Sequence, residues 1–223
     1  MTQSQAFENA IHEAGHLLAA LSRGLNVSAA TVTSGEALSM SGSQTSTGCI
    51  LVDRGISAQF ICEKHWLSSL MAEQAANLEG PGYLEEIHED AHTFIFMLVA
   101  GPVAHVAAMN GGKANRGYVG SVFPPRQKVG LHGPNTDMIG ACRYASVISA
   151  NRRTQTFLVK DAVRQACDYF ADKDVWRATE KTAALLLDRG TLTAGDIYGL
   201  SGPLRNSVSQ LTSSEGVNQS AMR

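Results

Sequence analysis

The chain has 223 residues, of which 44% are hydrophobic, so it carries enough apolar side chains for one compact domain with a core. Its formal net charge of −2 gives no reason to expect nucleic acid as the main partner. The four cysteines are scattered without a C-x-x-C pair, which excludes a metal knuckle and a disulfide framework. We therefore expect free thiols in a reducing compartment.

The first half of the chain is predicted to contain helices and a short hairpin. A helix is expected from Gln3 to Arg23, because apolar residues recur there at spacings of three and four. Val27 to Thr33 and Thr47 to Asp53 are predicted to form two strands joined by a Gly/Ser-rich turn. Helical character follows from Ile56 to Leu78, and after a Gly-Pro-Gly break a long helix is predicted from Tyr83 to Met109.

The second half is predicted to be helical after a loop over residues 110–135, which is rich in glycine, proline and basic residues. The expected helices are Thr136 to Ser149, Thr154 to Ala171, Val175 to Leu187 and Ala194 to Leu200. These elements predict an α+β, mostly helical fold with a small hairpin or sheet. One domain would cover residues 1–201, with a helical C-terminal subdomain from about 136 and a polar, frayed tail over 202–223.

The most apolar stretch runs from Phe94 to Met109 and is interrupted by Gly101, Pro102 and His105. It is shorter than the ~20 residues of a comfortable membrane span, so we predict a buried core helix and no membrane span. The N-terminus lacks the basic and apolar regions of a secretory signal, and a cytoplasmic location is expected.

The motif with the clearest chemistry is His12-Glu13-Ala14-Gly15-His16, which matches H-E-x-x-H and is called the first motif below. Residues four apart on a helix lie one turn apart on the same side, so both imidazoles can reach one metal ion, and Glu13 can hold a water beside it. The apolar stripe of the helix lies on roughly the opposite side, so these are poor candidates for silent core histidines. Gly15 inside a helix predicts the close approach of another backbone.

A second match, His88-Glu89-Asp90-Ala91-His92, is called the second motif. It follows a Pro-Gly break and lies among several acidic residues, which the helix dipole favours in the first turns of a helix. We interpret it as a solvated helix start rather than a metal site.

Two histidines leave a catalytic zinc ion one protein ligand short, because such sites typically have three protein ligands and a water. Spacing alone does not choose the third ligand among Asp137, His105, His132, Glu86 and Cys49.

Four segments resemble, in order, parts of the peptidase domain of FtsH-type membrane-bound ATP-dependent zinc proteases. They are AIHEAGHLLAAL with VSAATVT, then LVAGPVAHVAAM, GPNTDMIGACRYA and TEKTAALLLDRGTLTAGDIYGL, and they extend from about Ala6 to Leu200. The resemblance implies a zincin-like active-site helix, a Zn²⁺ cofactor and Asp137 as the third ligand. Asparagine and threonine beside Asp137 would otherwise indicate ordinary helix capping.

The chain also departs from that family. It has no G-x-x-x-x-G-K-[ST] loop, so the family's ATPase module is absent, as are its membrane helices. At the position of the glutamate in the family's Ala-Ala-Glu helix, this chain has His105. An asparagine precedes Asp137 by two positions rather than one, and the segment over residues 54–90 is longer than in the family. These departures affect substrate delivery and assembly more than metal chemistry.

The expected activity is ATP-independent hydrolysis of peptides or unfolded proteins, with His12, His16 and Asp137 holding zinc and Glu13 as the base. The strand from Thr47 to Asp53 would be either an edge that pairs with extended substrate or a structural hairpin. A homo-oligomer is compatible with this interpretation. The alternatives are a catalytically silent metal-binding or interaction module and a deformylase-type amide hydrolase, whose Glu-Gly-Cys and glutamine motifs are missing here.

Overall fold

A computed structural model describes residues 3–32, 49–53, 81–116 and 136–200. Its helices are α1 (Gln3–Ser22), α2 (Pro81–Met109), α3 (Thr136–Ile148), α4 (Arg152–Ala171) and α5 (Lys173–Arg189), and its strands are β1 (Asn26–Thr31), β2 (Cys49–Asp53) and β3 (Thr191–Thr193). Residues 194–200 are also helical. The prediction of a mostly helical α+β fold is therefore confirmed.

Most predicted elements lie within about two residues of the observed ones, and the exception is β3, which the sequence analysis missed. This strand has only three residues and depends on pairing with β1, so it carries no local pattern of its own. The predicted helix from Ile56 to Leu78, the turn over 34–46, most of the loop over 110–135 and the tail over 202–223 lie outside the described residues.

The strands form one small antiparallel sheet in the order β2-β1-β3. Ala30 lies at its centre, opposite Ile50 of β2 and Leu192 of β3. The predicted pairing of the first two strands is thus confirmed, with an irregularity in register between Val27 and Ala29. Three residues separate the end of α1 from the start of β1, and the first two strands pack against the helix that carries the first motif.

Side-chain caps set the boundaries of the C-terminal helices. The Asn151 side chain accepts a hydrogen bond from the backbone N–H of Arg153 at 2.8 Å and so starts α4. The Asp172 carboxylate accepts hydrogen bonds from the backbone N–H groups of Asp174 and Val175, which starts α5 two residues before its predicted beginning. Gly190, with φ of 70°, ends α5, and this left-handed conformation is one that glycine adopts without steric cost.

Helix α1 is buried on nearly all sides rather than along a single stripe. It packs against α2, α5 and the first two strands. Its apolar residues with no exposed surface are Ala10, Ile11, Ala14, Leu17, Leu18, Ala19 and Ala20. The face opposite the apolar stripe is therefore also enclosed, which the helical wheel did not predict. The first motif lies inside the protein, between helices, where a small buried polar site can form.

Helix α2 is the longest helix of the described residues and packs against α1, α3 and α4. Side chains such as Phe94, Ile95 and Val99 are buried in the shared core, as predicted for a core helix. By length and composition Glu85–Met109 is also the one described helix that could cross a membrane, and half of that window is buried inside the protein. The absence of a membrane span remains a prediction.

Candidate metal centre

Helices α1 and α2 approach each other closely at Gly15. A Cβ atom at this position would lie 2.7 Å from Ala104 Cβ and 3.0 Å from the Ala100 carbonyl oxygen. Both distances are shorter than van der Waals contact, so only glycine allows the two backbones to come this close. The predicted close approach of another backbone at Gly15 is confirmed, and α2 is that backbone.

The same helix crossing fixes the orientation of His16. Its ring covers Gly101, where a Cβ atom would lie only 2.5 Å from His16 Cε1. The Nδ1–H group donates a hydrogen bond of 2.7 Å to the Met97 carbonyl oxygen, one turn earlier on α2. A neutral imidazole that donates from Nδ1 keeps a free electron pair on Nε2. A backbone carbonyl on the other ring nitrogen is the usual outer-shell partner of a metal-binding histidine.

Three ligand atoms converge where α1 meets the start of α3. His12 Nε2 lies 3.0 Å from Asp137 Oδ2 and 3.1 Å from His16 Nε2, and His16 Nε2 lies 3.4 Å from the same carboxylate oxygen. Among the described residues, this is the group of His, Cys, Asp and Glu side chains that could hold a metal ion. The structure therefore brings together all three predicted ligands, although 125 positions separate His12 from Asp137.

These distances fit one small cation. In a tetrahedral zinc site with bonds of ~2.0–2.1 Å, neighbouring ligand atoms lie about 3.3 Å apart. The three observed separations, 3.0, 3.1 and 3.4 Å, span that value. The side chains of His12 and Asp137 are 23% and 24% exposed, whereas that of His16 is 9% exposed. The cluster is thus enclosed on the His16 side and accessible to solvent on the side of the other two ligands.

Charge pairing holds the carboxylate in its ionised form. Burial favours neutral Asp137, but the attraction of His16 and the hydrogen bond with His12 keep the pKa of this carboxyl well below its usual range. Burial also opposes protonation of His16, yet the same carboxylate raises the pKa of His16 to about 9. The pKa of His12 is lowered by burial and by its histidine neighbours. The ionised carboxylate thus favours a positive charge among the three side chains, which is a proton on His16 or, once that proton is lost, a bound metal ion.

Glu13 is buried beside this cluster, with 6% of its surface exposed. Burial raises its pKa to about 7, against the attraction of His16. An acidic side chain is almost never fully buried without a partner or a function. Glu13 lies between the two histidines in the sequence and interacts electrostatically with His16 and Asp137, but it is not one of the three side chains of the cluster.

The other third-ligand candidates do not join the cluster in the described part of the chain. His105 is close, with its ring centroid 6.1 Å from that of His12, but lies outside the ligand set. Glu86 is an exposed residue in the first turns of α2. His132 and the side chain of Cys49 lie outside the described residues.

The second motif lies near the N-terminal end of α2. Glu89 and His92 are exposed, His88 is partly buried, and Asp90 and Ala91 are buried. Among the described residues these histidines find no third ligand near enough to complete a cation site. The motif begins at the eighth residue of α2, beyond a first turn that has no acidic residue, and Asp90 is buried, so the structure does not support the interpretation as a solvated helix start.

Two groups that position His16, the Met97 carbonyl and Gly101, were not predicted from the sequence. A backbone carbonyl leaves no trace in the sequence, because every residue carries one. Gly101 left a weak signal, since it is a glycine within an apolar helical segment, and such glycines usually have a packing reason. Comparison with known proteins adds nothing to these contacts: no protein-family model, no curated protein and no solved structure matches this chain.

Proposed function

We propose that this protein is a zinc-dependent peptidase with a zincin-like active-site helix, in which His12, His16 and Asp137 bind the ion and Glu13 is the general base. The proposal rests on the cluster of three possible ligand atoms from α1 and α3, together with the buried glutamate of α1, Glu13. Two imidazoles and one carboxylate are a typical protein ligand set of catalytic zinc. The resemblance of four segments to the FtsH-type peptidase domain supports the same conclusion.

In the proposed reaction, a zinc ion would lower the pKa of a coordinated water toward ~7 and polarise the scissile carbonyl. Glu13 accepts a proton from the attacking water, whose oxygen bonds to the carbonyl carbon. The carbon–nitrogen bond then breaks, and Glu13 returns the proton to the leaving amine. The products are one new carboxyl group and one new amino group, so the reaction consumes a single water molecule.

The proposed substrates are peptides or unfolded proteins, cleaved without ATP. The chain has no phosphate-binding loop, so these 223 residues offer no means of unfolding a stable substrate. Extended peptides suit a site that is accessible on one side, where His12 and Asp137 reach solvent. Strand β2 lies at an edge of the described sheet and would be the segment for a substrate strand to pair with.

The second candidate function is metal binding without catalysis, and the burial of Glu13 favours the peptidase over it. Metal binding alone gives no reason to bury an additional carboxylate at this position, because desolvating it costs free energy. The same ligand set also suits Fe(II) in oxygenases, but hydrolysis is the chemistry that uses an adjacent base.

Metal analysis followed by a cleavage assay tests the proposal. The purified protein should contain about one zinc per chain and cleave casein or members of a peptide library, with a new amino terminus for each bond cleaved. Zinc binding without cleavage of any peptide would favour the silent module. If the purified protein contained iron instead of zinc, the proposed function would be wrong.

A further inference from the structure

Three residues on one face of α2 lie against the two histidines of the first motif, and His105 is the one of them that has no role so far. Met97, Gly101 and His105 are spaced four residues apart, so they lie on one side of the helix. The first two contact His16, and His105 lies beside His12 because the two helices run antiparallel.

His105 is close to the ligands but is not one of them. Its ring is nearly perpendicular to that of His12, at a centroid distance of 6.1 Å, whereas the rings of the two ligand histidines are 4.7 Å apart. It lies outside the set of atoms that are all within 4.8 Å of one another. The imidazole therefore stands one layer beyond the cluster.

The position of His105 is on the accessible side of the centre. His12, its neighbour, has 23% of its side chain exposed, compared with 9% for His16 at the enclosed end. His105 is itself partly exposed. His105 therefore stands next to the more accessible of the two ligand histidines. A neutral imidazole always offers one N–H donor, and such a donor could meet the substrate there.

We propose that His105 is a further catalytic residue, whose N–H group donates a hydrogen bond to the oxygen of the scissile carbonyl as that oxygen gains negative charge. This inference rests on the proposed peptidase function and adds the group that stabilises the charge, distinct from the base Glu13 and the ligands. A fixed donor aimed at developing charge contributes most in a site that is shielded from water.

The test compares His105→Ala and His105→Gln with His92→Ala, which removes an exposed histidine from the same helix. Removing one such donor typically lowers kcat by ~10²–10³-fold. We expect that loss in His105→Ala with KM changed only a few-fold, partial recovery in His105→Gln, whose amide keeps an N–H donor, and wild-type kinetics in His92→Ala. Zinc affinity and the visible spectrum of the cobalt(II)-substituted protein should be unchanged in all three variants.

A phosphinic peptide, which mimics the tetrahedral carbon, provides a readout that does not require turnover. Calorimetry should show about the same fold-loss of its affinity in zinc-loaded His105→Ala as is seen in kcat. Unchanged kcat and phosphinate affinity in that variant would overturn the role of His105 while leaving the peptidase standing. A changed cobalt spectrum or weakened zinc binding would overturn it too, because His105 would then be a ligand. Wild-type protein that binds zinc but neither cleaves peptides nor binds the phosphinate would overturn both proposals.

Discussion

The chain carries the H-E-x-x-H pattern twice on helices, and the two copies have different surroundings. The first motif lies in a helix enclosed by two helices and a sheet, and both of its histidines meet the carboxylate of Asp137. The second motif lies near the beginning of α2, with Glu89 and His92 exposed. The pattern places two imidazoles one turn apart in each case, but only the first copy has a third ligand and a buried glutamate among the described residues.

The difference lies in what faces each motif. Gly15 lets α2 approach α1 closely enough for the Met97 carbonyl to orient His16. The equivalent residue of the second motif is Ala91, which is buried in the core. A metal centre therefore depends on the neighbouring elements as much as on the five residues of the motif.

The largest expected effect comes from removing the histidines of one motif at a time. His12→Ala/His16→Ala should abolish zinc binding and peptide cleavage, because a single carboxylate remains. His88→Ala/His92→Ala should retain about one zinc per chain and normal activity. Metal analysis after dialysis against a weak chelator measures both variants. Zinc that survives in the first double variant and is lost from the second would reverse the assignment.

Substitution of the glutamate of each motif compares the two motifs for general-base catalysis. Glu13→Gln should lower kcat by ~10²–10⁴-fold with zinc content unchanged, because the amide cannot accept the proton of the attacking water. Glu89→Gln is the matched control at the same position of the second motif and should cleave at the wild-type rate. Equal activity of the two variants would exclude Glu13 as the base.

Asp137 distinguishes the two motifs, because it lies close enough to the first one to be its third metal ligand. Asp137→Asn should weaken zinc binding by more than the ~10–100-fold typical of an outer-shell change, because a neutral amide does not replace the carboxylate charge. Helix content by circular dichroism should be near normal, since an amide can still cap a helix start. Competition with a chromophoric chelator gives the affinity. Full zinc occupancy would return Asp137 to a capping role and leave His105, His132 and Glu86 as ligands to test.

The smallest expected effect concerns the residue that precedes the second histidine of each motif. Gly15→Ala should cost about 1–3 kcal/mol of stability, since the new Cβ would overlap Ala104, and it should lower zinc affinity by moving α1 away from α2. The reciprocal change, Ala91→Gly, should cost ~1 kcal/mol through helix propensity and about 0.8 kcal/mol through the lost buried methyl group, and should leave zinc affinity unchanged. Urea denaturation with parallel zinc titration separates the two. Unaltered zinc binding in Gly15→Ala would mean that the close helix contact does not position the site.

The sequence by itself determined most of the elements and three of the four residues of the candidate site, His12, Glu13 and His16. Apolar periodicity gave the helices, and the β-branched segments gave β1 and β2, because these patterns are local. The spacing of His12 and His16 placed two ligands on one helix for the same reason. Asp137 was selected by resemblance, since nothing within its own helix distinguishes a ligand from an N-terminal acidic residue.

Only the tertiary structure decided the rest. Strand β3, the enclosure of α1 on nearly all sides and the support of His16 by Met97 and Gly101 each require contacts between segments far apart in the chain. The two copies of H-E-x-x-H differ because a ligand cluster needs three ligand atoms about 3.3 Å apart, the spacing that one small cation imposes, and here the third atom comes from a different helix. Side-chain periodicity reports which face of a helix is apolar, but it carries no information on which backbone lies opposite.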